Sequence, residues 1–137
     1  DCINKVNKIK KREWFRPFAG TVLAEYKNKY FDIPYDTYSP YMMYIYKIKD
    51  KRLKNISSKD GYSRIQTLTI DSNKNYYKLI KEFNNLSGLP IVLNTSLNMP
   101  GHTIVETLDD IKEMMEYTEL KYCYLPEVNK LIINEDK

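Results

Sequence analysis

Apolar side chains recur along this chain at two spacings, and the change from one to the other predicts its elements. Tyr76, Leu79, Ile80 and Phe83 fall at i, i+3, i+4 and i+7, the period of one helical face. They predict a helix from Asn73 to Ser87, with Gly88 suited to the left-handed residue that ends it. Thr107 can cap a second helix, with Asp109 and Asp110 in its first turn and Ile111, Met114 and Met115 facing inward. Ile3, Val6 and Ile9 repeat every three residues and suit a short basic helix before Lys10–Arg12, stopped by Pro17.

Other stretches read as strands. Phe18–Ala24 and Pro90–Asn94 are short apolar runs, and Ser63–Ile70 alternates polar with apolar, which predicts a strand with one wet face. In that stretch Ile65, Leu68 and Ile70 cannot all share a face, so a bulge or register change is expected. Tyr41–Ile48, between Pro40 and Asp50, predicts a strand buried on at least one face. Residues 26–40 read as an irregular excursion and Lys49–Lys59 as a polar loop ending in the Asp60-Gly61 turn. Tyr122–Leu125 and Val128–Ile133 can close a hairpin around Pro126. Strands mixed with helices predict an α/β fold, an open twisted mixed sheet flanked by helices.

With 137 residues, 42% of them hydrophobic and 29% charged, the expectation is a single soluble domain over residues 1–137. No apolar run approaches the ~18 to 20 residues of a membrane span, and residues 1–16 lack the apolar core of a secretory signal. A cytoplasmic protein without membrane partners is therefore expected. Cys2 and Cys123 have no CxxC and only one histidine, His102, to accompany them. No metal site is expected of them, and reduced thiols are.

Charge changes the picture locally. Of a net +4, the whole excess lies in residues 1–16, where Lys5, Lys8, Lys10, Lys11, Arg12 and Arg16 face only Asp1 and Glu13. A concentrated patch suits a phosphate site or a nucleic-acid contact. Lys10 and Arg12 are spaced by two, which on extended backbone puts a point charge and a two-pronged donor on one face; the alternative is a solvated helix end. Arg64 and Gln66 flank Ile65 and project from one strand face, as an anion-binding Arg or as ordinary surface. Asn94-Thr95-Ser96-Leu97-Asn98 follows an apolar run, where amides and hydroxyls can cradle oxygens or simply form a polar turn. His102 reads as a surface histidine.

In this order the clusters resemble a known family. Lys10-x-Arg12-Glu13-x-x-Arg16-Pro17-Phe18-Ala19, Ser39-Pro40-Tyr41-Met42, Asp60-Gly61-x-x-Arg64-Ile65-Gln66-Thr67 and Gly88-x-Pro90-Ile91-Val92-Leu93-Asn94-Thr95-Ser96-Leu97-Asn98 resemble segments of the O-carbamoyltransferases. That family includes the nodulation-factor, cephamycin and tobramycin carbamoyltransferases. The resemblance implies the family's C-terminal, YrdC-like domain, here partial. Its implied activity is the formation of carbamoyl-adenylate from ATP and carbamoyl phosphate, with magnesium held through the phosphates. The implied partner is an N-terminal actin-like domain, in the same protein or a separate chain, that passes the carbamoyl group to a hydroxyl. Carried over, Lys10, Arg12 and Arg64 would be catalytic groups on phosphate or carbamoyl, with Arg16, Asn94, Thr95, Ser96 and Asn98 completing the binding site. Thr95 could instead point into the core.

The pattern also departs from the family. Ser58 stands where the family usually has His, Gly20 where it has Pro, and His102-Thr103 where it has Glu-Pro. The family's Gly-Pro-Arg-Ala-Leu-Gly segment would lie upstream of Asp1, so a fragment or a reduced protein is expected. Two other functions compete with the enzyme module: a basic-cleft RNA-binding module and a non-catalytic scaffold remnant. A nucleic-acid binder spreads its basic residues along a surface; here they gather at one predicted site, so nucleic acid is not the expected partner.

Overall fold

A computed structural model describes residues 2–137; Asp1, counted in the charge of the basic segment, lies outside the described residues. In chain order the regular elements are α1 (Cys2–Lys10), β1 (Ala19–Leu23), α2 (Lys27–Tyr30), β2 (Phe31–Asp32), β3 (Ile45–Ile48), β4 (Tyr62–Leu68), α3 (Lys74–Ser87), β5 (Ile91–Asn94), α4 (Leu108–Tyr117), β6 (Tyr122–Leu125) and β7 (Lys130–Ile133). They fall into two compact units. One runs from Pro17 to Thr95; the other joins the segment up to Arg16 with Ser96–Lys137.

The Pro17–Thr95 unit is built on a five-stranded open sheet in the order β2-β3-β4-β1-β5. β1 runs parallel to β4 and antiparallel to β5, so the sheet is mixed, as the pattern predicted. The register puts Thr21 beside Gln66 and Leu23 beside Leu68 on one face, with Gly20 beside Ile65 on the other. On the first face Leu23, Leu68 and Ile80 of α3 form a buried cluster, with Tyr26, Tyr76, Tyr77 and Val92 packed around it. Each of these aliphatic side chains contributes roughly 1.5–3 kcal/mol by leaving water. On the second face a 3-10 turn, Lys51–Ile56, buries Leu53 and Ile56. A Cβ added at Gly20 would come within 2.5 Å of Ile56 Cδ1, so a larger residue there would require the end of the Ile56 side chain to shift.

Several expectations meet a different outcome. Ile65 and Leu68 are buried on opposite faces of an unbroken β4, and Ile70 lies beyond its end, so no bulge is needed. The Tyr41–Ile48 strand shrinks to β3, and Tyr41, Met43, Tyr44 and Ile45 are exposed rather than buried. Met42 has φ of 55°, a left-handed conformation that cannot continue a strand. The excursion over 26–40 contains α2 and β2, and the polar loop contains the 3-10 turn. Of the helical stripe only Ile80 is fully buried, while Leu79 and Phe83 remain 42% and 40% exposed. The helix ends themselves are as read: Asn73 Oδ1 accepts from the Tyr76 N–H and Gly88 has φ of 70°.

In the second unit α4 is held by a capping box. Thr107 Oγ1 accepts from the Asp110 N–H, and the Asp110 carboxylate accepts from the Thr107 N–H. Ile111, Met114 and Met115 are buried as the pattern predicted. The β6–β7 hairpin closes through a turn at Pro126–Asn129, with Asn129 left-handed, so its second strand begins at Lys130 rather than Val128. Asn134 Nδ2 ties the end of the hairpin to the Met115 carbonyl at 2.9 Å. Among the described residues no helix is long and apolar enough to cross a membrane.

Candidate functional site

The end of α1 is set by backbone geometry. The N–H groups of Lys11 and Arg12 reach back to the carbonyls of Lys8 and Asn7 at 3.3 and 3.0 Å, the pair of bonds that closes a helix through a left-handed residue. That residue is Lys11, at φ of 45°, where a side chain is strained and glycine is the usual choice. Lys10 and Arg12 are therefore not successive positions of an extended segment, as their spacing suggested; the chain turns between them.

This turn leaves Lys10 as the last helical residue, 8% exposed. Its ammonium donates to the Ser96 carbonyl, the Asn98 carbonyl and Asn98 Oδ1, each at 2.6 Å. A lysine has three N–H donors, and these acceptors occupy all of them. Burial first, and the nearby Arg12 charge second, pull the Lys10 pKa below the ordinary lysine value. One turn earlier Asn7 is also buried, and neither its amide nitrogen nor its side-chain oxygen has a hydrogen-bond partner. Arg16 is exposed and paired with Glu13 at 3.5 Å.

The loop that receives Lys10 is internally bonded. Ser96 Oγ donates to Asn98 Oδ1 at 2.7 Å, and Asn98 Nδ2 donates to the His102 carbonyl at 3.0 Å. The Val105 N–H returns to the Leu97 carbonyl. Asn98 thus accepts from a cation and from a hydroxyl while donating across the loop. These bonds form a polar turn shaped around an ammonium. His102 is exposed, as expected of a surface histidine.

In the Pro17–Thr95 unit a second polar cluster crosses three strands. Asn94 Nδ2 donates to Thr21 Oγ1 at 2.8 Å and to Gln66 Oε1 at 2.9 Å, and Thr21 Oγ1 donates to Gln66 Oε1 at 3.1 Å. Gln66 Nε2 donates in turn to the Pro40 carbonyl. Arg64 lies two residues before Gln66 on β4, on the same face, and is exposed. No carboxylate among the described residues pairs with it. Thr95 follows β5 and is half-buried.

The structure thus gathers Lys10, Arg12, Ser96 and Asn98 in one unit, and Asn94 with Thr21 and Gln66 in the other. Thr21 and the buried Asn7 were not singled out from sequence. Thr21 sits inside an apolar run, and only strand register reveals its neighbours. Ser39 was noted only as part of a motif; its hydroxyl donates to the Ile65 carbonyl and its N–H to Thr67 Oγ1, which stitches the excursion to β4.

Comparison with known proteins gives this geometry a context. Residues 1–131 match the family described as Carbamoyltransferase C-terminus. Over 104 residues the chain is 43% identical to an uncharacterized protein of Methanocaldococcus jannaschii, covering 74% of this chain and 20% of that protein. It is 34% identical over 124 residues to nodulation protein NolNO of Sinorhizobium fredii, covering 88% of this chain and 18% of that one. It is 26% identical over 133 residues to a 3'-hydroxymethylcephem-O-carbamoyltransferase of Streptomyces clavuligerus, covering 96% and 24%. The chain therefore spans about a fifth of the length of these relatives.

Proposed function

The chain belongs to the carbamoyltransferase family, whose C-terminal part it matches, and from that premise we propose that it binds ATP and carbamoyl phosphate and forms carbamoyl-adenylate. The net step takes up one water and releases phosphate and pyrophosphate, with the carbamoyl carboxylate oxygen bonded to the α-phosphorus. Both substrates are anions, so the site must offset their repulsion before any bond forms, which fixed cations and N–H donors do by position and electrostatics. No side-chain nucleophile is required.

The observation that carries this reading is Arg64, an exposed guanidinium without a carboxylate partner, standing on a strand beside the bonded Gln66–Asn94–Thr21 cluster. A planar fork held on a strand is preorganised for a phosphate or carbamoyl oxygen. In the same unit as Arg64, Asn94 and Thr95 provide neutral groups. In the other unit Arg12 and Arg16 carry charge, Lys10 acts from behind the Ser96–Asn98 turn, and Ser96 and Asn98 provide the neutral groups. Magnesium arrives with ATP, held by phosphate oxygens and water. Among the described residues no group of three or more His, Cys, Asp or Glu comes together that could hold a metal. An actin-like domain, in the same protein or another chain, then passes the carbamoyl group to a hydroxyl.

The test is calorimetric titration of the chain with ATP and with carbamoyl phosphate, repeated with Arg64→Ala. Loss of a charge-assisted contact weakens binding by on the order of 1.5–3 kcal/mol. Equal affinity of both forms for both substrates removes the reading.

A further inference from the structure

Outside residues 1–16 the charges of the chain balance, which hides a second local surplus. Residues 47–60 carry six lysines and arginines against two aspartates. In the Pro17–Thr95 unit this stretch lines a cavity of about 590 Å3, within the usual range for ligand pockets. Lys49, Lys51, Lys54 and Lys59 face it, together with Ser57 and Ser58. None of these lysines belongs to the motifs shared with the carbamoyltransferases. The cavity is also set apart from Arg64. It forms around the 3-10 turn, Lys51–Ile56, which packs on the Gly20 and Ile65 face of the sheet. Arg64 projects with Gln66 from the opposite face of β4.

Backbone bonds fix the segments that carry the lysines. The 3-10 turn sends Leu53 and Ile56, three residues apart, inward and leaves Lys51 and Lys54, also three apart, on the cavity. The Lys49 N–H donates to the Tyr30 carbonyl at 2.9 Å. Lys59 sits in a turn closed by Ser58, whose N–H donates to the Tyr62 carbonyl at 2.7 Å and whose carbonyl accepts from the Gly61 N–H at 3.1 Å.

Most of the donors on this cavity are unspent. Lys51, Lys54 and Lys59 make no side-chain hydrogen bond or ion pair with other described residues. Lys49 gives one of its three donors to the Asn28 carbonyl at 3.1 Å. The carboxylate in the lining, Asp50, is already matched: Arg52 donates to its Oδ2 from Nε at 3.0 Å and from Nη2 at 2.6 Å. Ser58 Oγ accepts from the Tyr62 N–H and keeps its own hydrogen to donate.

We infer that this cavity binds a compact polyphosphate, a small molecule whose linked phosphates are read by charge and without a base. Lysines are point charges on flexible stems, suited to clustered anionic oxygens rather than to one planar contact. Gathered around one space they repel each other, and a ligand of high charge density relieves that repulsion. A single phosphate would fill only part of the volume. The rest of the lining, Ile48 and Gly61, offers no aromatic ring on which a base could stack. The inference stands apart from the ATP and carbamoyl phosphate reading, since it uses other residues on the other face of β4.

The test titrates the isotopically labelled chain with inorganic pyrophosphate and with orthophosphate at fixed ionic strength. Pyrophosphate is expected to shift the amide resonances of residues 48–61 saturably, and to bind about tenfold or more tighter than orthophosphate. The paired substitution Lys54→Gln and Lys59→Gln is expected to weaken pyrophosphate by about tenfold or more. Both lysines are exposed, and unchanged resonances elsewhere check that the fold is kept. Arg64→Ala is expected to leave the 48–61 shifts as they are. Shifts that follow Arg64 instead of the lysines, or that sodium sulfate reproduces equally, overturn the inference. A single-stranded RNA that shifts these resonances where pyrophosphate does not assigns the patch to nucleic acid and overturns it too. If pyrophosphate shifts residues 48–61 while ATP binds nowhere, the inference stands and the ATP reading alone fails. If ATP binding depends on Arg64 and pyrophosphate never shifts residues 48–61, the ATP reading stands and this inference fails.

Discussion

Lys10 and Arg64 each bring one positive charge to the molecule, one in each compact unit, and they do so in opposite circumstances. Lys10 is buried, and its three donors are spent on oxygens of the Ser96–Asn98 turn. Arg64 is exposed on β4 with no carboxylate beside it. A buried cation whose donors are all occupied is a structural fastener, since removing it strands its acceptors. An exposed cation on a preorganised strand contributes little to folding and remains available to a ligand. Proximity to a motif therefore says less about a lysine or arginine than the state of its N–H groups.

The largest effect is expected from Lys10→Ala, which leaves two carbonyls and the Asn98 side-chain oxygen without their cation. Urea denaturation should show a loss of about 3 kcal/mol, and a loss below 1 kcal/mol would break the contrast. Arg64→Ala should do the reverse: stability within about 0.5 kcal/mol of the native chain, with the substrate affinity loss stated above. An unstable Arg64→Ala protein would show that Arg64, too, is a fastener.

Smaller changes sharpen the picture within each unit. Thr107→Ala removes a neutral cap in the unit that holds Lys10 and should cost about 1 kcal/mol by thermal melting, well short of the Lys10 effect. Lys11→Gly relaxes the left-handed position next to Lys10 and should raise stability by about 0.5–1 kcal/mol. No gain there would mean the Lys11 side chain makes good its own backbone strain.

The last test concerns a proton rather than a cation. Tyr77 donates to the Glu25 carboxylate, and that bond, with some burial, pushes its pKa from 10.0 up to about 12. Because the folded value lies above the unfolded one, the stability this bond contributes is complete below pH 10.0 and lost as pH rises to about 12. Ultraviolet titration should find one tyrosine ionising last, and Glu25→Gln should bring it back toward the others.

Element types were legible where periodicity was strong and local. The α3 and α4 helices, the cap at Thr107 and the Gly88 stop follow from nearest-neighbour chemistry along the chain. Tyr41–Ile48 misled because aromatic and apolar residues read as burial, while Pro40 and the left-handed Met42 hold most of them in solvent. The candidate site was legible as residues but not as roles. Lys10 and Ser96–Asn98 were named as one binding set, yet that the lysine is consumed by the turn depends on a helix end folding back across more than eighty residues.

Sequence alone determined the inventory: mixed α/β elements, a basic first segment, the family motifs and the residues on which chemistry could rest. Tertiary structure alone decided which of those charges are satisfied, which strands carry Thr21, Gln66 and Asn94 into contact, and which lysines line one cavity. The physical reason is range. Periodicity, caps and turns are fixed by neighbours a few residues apart, whereas desolvation and hydrogen-bond satisfaction depend on groups that only folding brings together.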